Sequence, residues 1–241
     1  MFRTIALGDV GSTNTEALER LFRGEAPPFW LTAERQLSGR GRLGRAWVSE
    51  RGNLYATLAL RDPAPPDRLS SLSLVAAVAA RRAVVATTGN GQTRLKWPND
   101  LILDGAKVAG ILLEAHVVDA VRYVLIGCGI NCSSHPEQAA YPTTDLRSAG
   151  YPVEPDRLFA SLNETMSTAL AAWDRGERTQ PFLDEWTAHA HRMGETVTVS
   201  SADRRVAGRL LGLDEMGRLL LETDGGCVTI AAGDLEAPRA E

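Results

Sequence analysis

The sequence predicts an α+β fold, with a mixed β-sheet and helices over residues 1–193 and a small all-β unit over residues 194–241. Three observations carry this. Strand-like and helix-like patterns are interspersed up to residue 193. After Gly194 only short strands and turn signals remain. The length, 241 residues with 44% hydrophobic and 23% charged, suits one large core with a small appendage and excludes a disordered chain.

"TIALG" reads as a first strand. In "GSTNTEALERLF", Thr13 and Glu16 have capping-box spacing, and Ala17, Leu18, Leu21 and Phe22 form one helical face. "FWLTAERQ" is a strand, and "NLYATLAL" alternates Leu54, Ala56, Leu58 and Leu60 as a half-buried strand does. "DRLSSLSLVAAVAARRAVVA" predicts a long helix with Leu69, Leu72, Ala76, Ala79 and Ala83 on one side. "TRLKWPNDLILDGAKVAGILLEA" reads as strand, break at Pro98, strand, turn, strand. "VRYVLIGCGIN" is a buried strand, followed by a polar connection from Ser133 to Pro155. Two helices come next, "PDRLFASLNETMSTALAAW" and "PFLDEWTAHAHRM". The tail supplies "ETVTVSS", "VAGRLLGLD", "RLLLET" and "CVTIAA". So small a unit has little core of its own, which predicts that it packs on the larger one.

Composition narrows the function classes. Lys plus Arg number 26 against 30 Asp plus Glu, and a net charge of −4 argues against a nucleic-acid partner. The opening residues show no signal-peptide h-region and no run suggests a membrane span, so a cytoplasmic protein is expected. Cys128, Cys132 and Cys227 are an odd count with no second pair for a zinc site, which favours free thiols. His189 and His191, two apart on an expected helix, would point to different faces.

The chemistry concentrates in three segments: "GSTNT", "ERQLSGRGRLGRAW" and "KWPNDLILDGAKVAGIL". Gly39, Gly41 and Gly44 match a dinucleotide fingerprint, but that fingerprint opens directly into a helix, and this loop joins two expected strands. The needed acidic residue is also missing, since Asp62 falls in a proline-rich loop. With the glycines explained as a flexible turn, the arginines between them remain to be explained. Their planar forks suit carboxylate and phosphate oxygens, and glycine admits close approach of backbone N–H groups.

On these segments, on "GCGIN" and on the β tail, the sequence resembles the biotin–protein ligase family over nearly its whole length. The resemblance implies ATP-dependent activation of biotin to biotinyl-5'-adenylate and transfer to a lysine of a biotin carrier protein domain, releasing pyrophosphate and AMP. It implies a core like that of class II aminoacyl-tRNA synthetases and a C-terminal SH3-like β-barrel, in a monomer or homodimer. For biotin it implies Ser12, Thr13, Asn14, Gln36, Arg40, Gly41, Arg42 and Lys107. Ser12–Asn14 equally suit a helix N-cap. For ATP and the adenylate it implies Arg42, Arg45, Trp47, Asn99 and Asn131. Lys107 and Arg40 are the expected catalytic residues, and Asp100 is a candidate for Mg²⁺. Lys96 reads instead as an exposed strand charge. Leu43 stands where some relatives have another arginine. The Arg-Gly loop is expected to be a mobile lid. The S-T-N match at residue 12 leaves no room for the DNA-binding domain of some relatives, so no repressor role is expected. A lipoate–protein ligase is the nearest alternative, and an arginine-loop nucleic-acid module a more distant one.

Overall fold

The computed structural model describes residues 1–139, 141–201 and 204–236. Seven strands form one mixed sheet: β1 (Arg3–Val10), β2 (Phe29–Gln36), β3 (Leu54–Arg61), β4 (Arg94–Lys96), β5 (Asp100–Leu103), β6 (Ala106–Val118) and β7 (Val121–Ile130). Their order is β1-β2-β3-β7-β6-β5-β4, with β1 parallel to β2 and the other pairs antiparallel.

Helix α1 (Thr13–Phe22) covers one face of the sheet, where Ala17 and Leu21 pack with Phe29, Leu31, Ala59 and Leu125. On the other face lie α2 (Leu72–Thr88), α3 (Pro155–Trp173) and α4 (Gln180–Ala188), which bury the larger core. Sandwiched between helices, β3 is buried on both faces along its length except Arg61, rather than half-buried as its alternation suggests. Phe22, the last residue of α1, is 63% exposed, and its neighbour Leu21 is the one that meets the sheet. The capping box does not form. Thr13 turns to Gln36 instead, and Glu16 pairs with Arg20.

The stretch Pro66–Thr88, a short 3-10 turn running into α2, has the length and mean hydropathy (1.5) of a membrane span, which the sequence reading overlooks. Two-thirds of its apolar window is buried inside the protein, as expected of a core helix. All round α2, alanines and valines let α3 and the sheet approach closely.

The tail forms a five-stranded antiparallel sheet from β8 (Thr196–Ser200), β9 (Arg205–Leu213), β10 (Leu219–Thr223), β11 (Gly226–Ile230) and β12 (Asp234–Glu236), in the order β11-β10-β9-β8-β12. Strand β12 has no signal in the sequence reading, being three residues after two glycine-rich turns. Val197, Leu210, Leu219 and Leu235 join the same apolar core as the helices of the larger sheet. His189 and His191 are not helical. The chain after α4 pairs with β4, His191 N–H donating to the Leu95 carbonyl (2.7 Å), and this contact ends the helix.

Candidate active site

Between the two sheets, beyond the N-terminus of α1, lies a cleft of roughly 830 Å³. That volume fits a small-molecule ligand pocket. Twelve of the thirteen residues expected to bind ligand line it: Ser12, Thr13, Asn14, Gln36, Arg40, Gly41, Arg42, Arg45, Trp47, Asn99, Asp100 and Lys107. The thirteenth, Asn131, does not. It is buried, its N–H donates to the Val108 carbonyl and its amide to the Thr144 carbonyl (3.0 Å), so it stitches the polar connection onto β6.

One wall is neutral. Strand residues of period two put Leu125, Gly127 and Gly129 on the α1 face of β7, with Gly110, Leu112 and Glu114 opposite them on β6. Leu125 fills the space under α1, while the two glycines leave room for side chains arriving from elsewhere. A Cβ at Gly127 would stand 2.5 Å from Asn14 Oδ1, and one at Gly129 2.6 Å from Trp47 Nε1. Thr13 donates to Gln36 Oε1 through both N–H (2.9 Å) and hydroxyl (3.0 Å), and Gln36 Nε2 donates to Ser49 Oγ (2.9 Å). Asn14 Nδ2 donates to Glu114 (2.7 Å), and Thr57 Oγ1 donates to Asn14 Oδ1 (2.6 Å). Ser12 takes the helix N-cap position by backbone geometry, but its side chain makes no capping bond.

The facing wall is charged. The Arg-Gly loop closes on itself through Gly41 N–H to the Arg45 carbonyl (2.8 Å) and Trp47 N–H to the Gly39 carbonyl (2.9 Å), with a 3-10 turn at Arg42–Gly44 and no α-helix after it. At its tip Leu43 is 80% exposed with φ +56°, a conformation that costs a branched residue about 1–2 kcal/mol. Arg40 donates to Thr15 Oγ1 (3.0 Å). Arg42 reaches across to the Gly233 carbonyl and to Asp234 Oδ1 (3.2 Å each), and Arg45 pairs with Asp234 Oδ2. The loop that reads as a lid is therefore tied to the second sheet through β12. Hydrogen bonding to Asp234, then its charge, raises the Arg45 pKa.

Lys107 Nζ stands 2.7 Å from Asp100 Oδ1, a contact whose angles lie outside those of a directed hydrogen bond, and 5.3 Å from each of the Trp47 and Tyr141 ring centres. Aromatic faces attract a cation placed between them. Lys96 is not the exposed charge its strand position suggests. It lines the cleft 5.9 Å above Tyr141, and burial first, then repulsion from Lys107, lowers its pKa. Asn99 is pinned by its amide to the Ile111 carbonyl. Trp47 Nε1 is buried with no partner among the described residues. A ligand acceptor would recover the cost of that lost bond.

Sequence reasoning missed Tyr141, His191 and Asp234–Glu236, which also line the cleft. Tyr141 arrives because the polar connection pairs with β6 at Lys107, whose N–H donates to the Pro142 carbonyl (2.9 Å). Its only signal was an aromatic residue in an otherwise polar stretch. Cys128 forms part of the cleft floor, but burial pushes its thiol up to about 12, so it is inert there, and no group of three metal-binding side chains occurs among the described residues.

Residues 9–131 match the Biotin/lipoate A/B protein ligase family, and residues 193–236 match the Biotin protein ligase C terminal domain. The chain belongs to this ligase family. It is 33% identical over 240 residues to a biotin–[acetyl-CoA-carboxylase] ligase of Paracoccus denitrificans, covering 95% of this chain and 98% of that one. A ligase of the same name from Mycobacterium tuberculosis is 32% identical, with 95% of this chain and 86% of that one covered. Among solved structures, the biotin protein ligase of Aquifex aeolicus in complex with biotin and ATP superposes with a TM-score of 0.85 at 28% identity, over the whole of both chains. A ligase of this family needs a neutral wall for a ring and a charged wall for phosphates, and this cleft has both.

Proposed function

We propose that this protein is a biotin–protein ligase that activates biotin with ATP and transfers it to a lysine of a biotin carrier domain. The observation that carries the reading is the meeting, in one cleft, of the Ser12–Asn14 and Gln36 wall with Lys107 and the arginine loop. Hydroxyls and amides supply both the donors and the acceptors that a cyclic urea requires.

In the first step an oxygen of biotin's carboxylate attacks the α-phosphorus of ATP. A P–O bond forms, the bond to the β-phosphate oxygen breaks, and pyrophosphate leaves with the electron pair. Two anions are forced together as negative charge spreads over the phosphoryl oxygens, so cations held in place lower the barrier. Lys107 is poised for this between the rings of Trp47 and Tyr141, and Arg40 sits at the mouth of the ring wall. The incoming anions take over the ammonium from Asp100. Asp100 is the carboxylate that would hold a Mg²⁺, which would offset phosphate charge there, since hard cations bound to phosphates keep waters and take one or two carboxylates. Arg42, Arg45 and Trp47 face the nucleotide.

In the second step the carrier's lysine amine attacks the acyl carbon, the C–N bond forms, the C–O bond to AMP breaks, and the amine loses a proton. The anhydride is already activated, so positioning suffices. We divide the chain at 193/194. The start of the second sheet at Thr196 supports that boundary, and β12 supports a role for the tail in holding the arginine loop. We place the reaction in the cytoplasm, on the carrier domain of a biotin-dependent carboxylase.

Incubation with biotin, Mg-ATP and a biotin carrier domain, followed by intact mass, tests the reading. One biotinyl group is expected on the carrier. No gain on a carrier that a known ligase modifies, or pyrophosphate release driven by lipoate and not by biotin, would overturn it.

A further inference from the structure

Glu114 does not line the cleft, yet it fixes a residue that does. Asn14 Nδ2 donates to Glu114 Oε2 at 2.7 Å and Thr57 Oγ1 donates to Asn14 Oδ1 at 2.6 Å. The carboxylate only accepts, so the amide nitrogen faces Glu114 and the oxygen faces Thr57. Thr57 is fully buried and lies directly across from Gly127, where any Cβ would stand 2.5 Å from the same Oδ1. Turning the amide over would set its oxygen against the Glu114 carboxylate and lose that bond, so Glu114 holds it in this sense. Of its hydrogen-bonding positions, one N–H is given to Glu114 and the oxygen is turned to Thr57, which is fully buried and does not line the cleft. The second N–H is its free donor.

We propose that Glu114 is a positioning residue for ligand choice: through Asn14, and with Thr57 as the second clamp, it makes the neutral wall present an N–H rather than an oxygen. Such a wall selects a ring group that accepts, a urea carbonyl, over one that can only donate. This rests on the biotin reading above. It goes further in naming how the wall distinguishes biotin from 2-iminobiotin, whose ring bears a protonated imine in place of the carbonyl at neutral pH. A site built for one hydrogen-bonding polarity rejects the opposite one strongly, because the mismatched groups are left unpaired.

The test is ATP–pyrophosphate exchange driven by biotin and by 2-iminobiotin, in wild type and in Glu114→Ala, Glu114→Gln and Thr57→Val. In Glu114→Ala the amide is free to flip, so the biotin KM rises about tenfold or more while kcat and the ATP KM stay within about twofold, and the preference for biotin over 2-iminobiotin shrinks about tenfold. Glu114→Gln keeps an acceptor oxygen and restores most of the biotin KM. A purely structural role would instead lower kcat for both acids together and leave the preference unchanged, which overturns the proposal. Should Glu114→Ala not fold, Thr57→Val decides, since an unchanged preference in it also overturns the proposal. A wild type that is inactive with biotin defeats the functional reading itself, whereas an active wild type with an unchanged preference in the variants defeats only the assignment to Glu114.

Discussion

On one side of the cleft, Thr13, Asn14, Gln36, Ser49 and Thr57 exchange hydrogen bonds of 2.6–3.0 Å within the first sheet and the helix and loop that cover it. On the other, Lys107, Arg42 and Arg45 pair with Asp100 and Asp234, and Asp234 belongs to a different sheet. The neutral side is buried, its partners are permanent, and its orientation is settled before any ligand arrives. The charged side is partly exposed, and its carboxylates occupy the cations that a polyanion would claim. Rigid polar groups suit a small neutral ring, which offers little binding energy to spend on rearrangement. Exchangeable counter-ions suit phosphates, whose charge is large enough to displace them.

The contrast is open to attack from both sides. Lys107→Met removes the cation held at the centre of the charged side, and biotin-dependent pyrophosphate exchange should fall by about 10²–10³-fold, while biotin affinity by calorimetry changes far less. A loss of biotin affinity as large as the loss of rate would mean that Lys107 serves binding and not the phosphoryl step. On the neutral side, Gly127→Ala drives a methyl group against Asn14 Oδ1. Overpacking of this kind costs about 1–3 kcal/mol, so calorimetry should find biotin bound roughly tenfold more weakly with ATP affinity unaltered. Equal loss for both ligands would break the division between the walls. The smallest effect belongs to Asp234→Asn. Partly exposed ion pairs contribute about 0–1 kcal/mol, so freeing Arg42 and Arg45 should lower the ATP KM by about two- to fivefold and leave the biotin KM alone. A raised ATP KM would show that Asp234 holds the arginines in their working position rather than competing for them.

The neutral side was the more legible in the sequence. Ser12, Thr13, Asn14 and Gln36 lie within a few residues of strand and helix ends, and local pattern placed those ends well. Most strands and helices were readable for the same reason, because their apolar periods are local. What could not be read is what depends on distant chain. Asp234 sits in a three-residue strand with no pattern of its own, and Tyr141 reaches Lys107 only through backbone pairing of an irregular connection. Asn131 shows the converse. Its place at the end of "GCGIN" suggested a ligand contact, but the fold spends its amide on tying down that same connection. Lys96 reads as an exposed strand charge, and its strand is indeed at the sheet edge, but the cleft that half-buries it is made by segments far away in sequence.

The link from Arg42 to Gly233 spans 191 positions. Long-range closures of this kind form late, since the entropy of bringing the ends together must be met before the contact repays it. On a ribosome the ring wall, complete once Gly129 has emerged and folded, would exist well before the charged wall has its counter-ion. A chain cut before β12 would thus hold biotin's half of the site without the means of tethering the arginines above it. In this architecture strand β12 couples the second sheet to the charged half of the cleft.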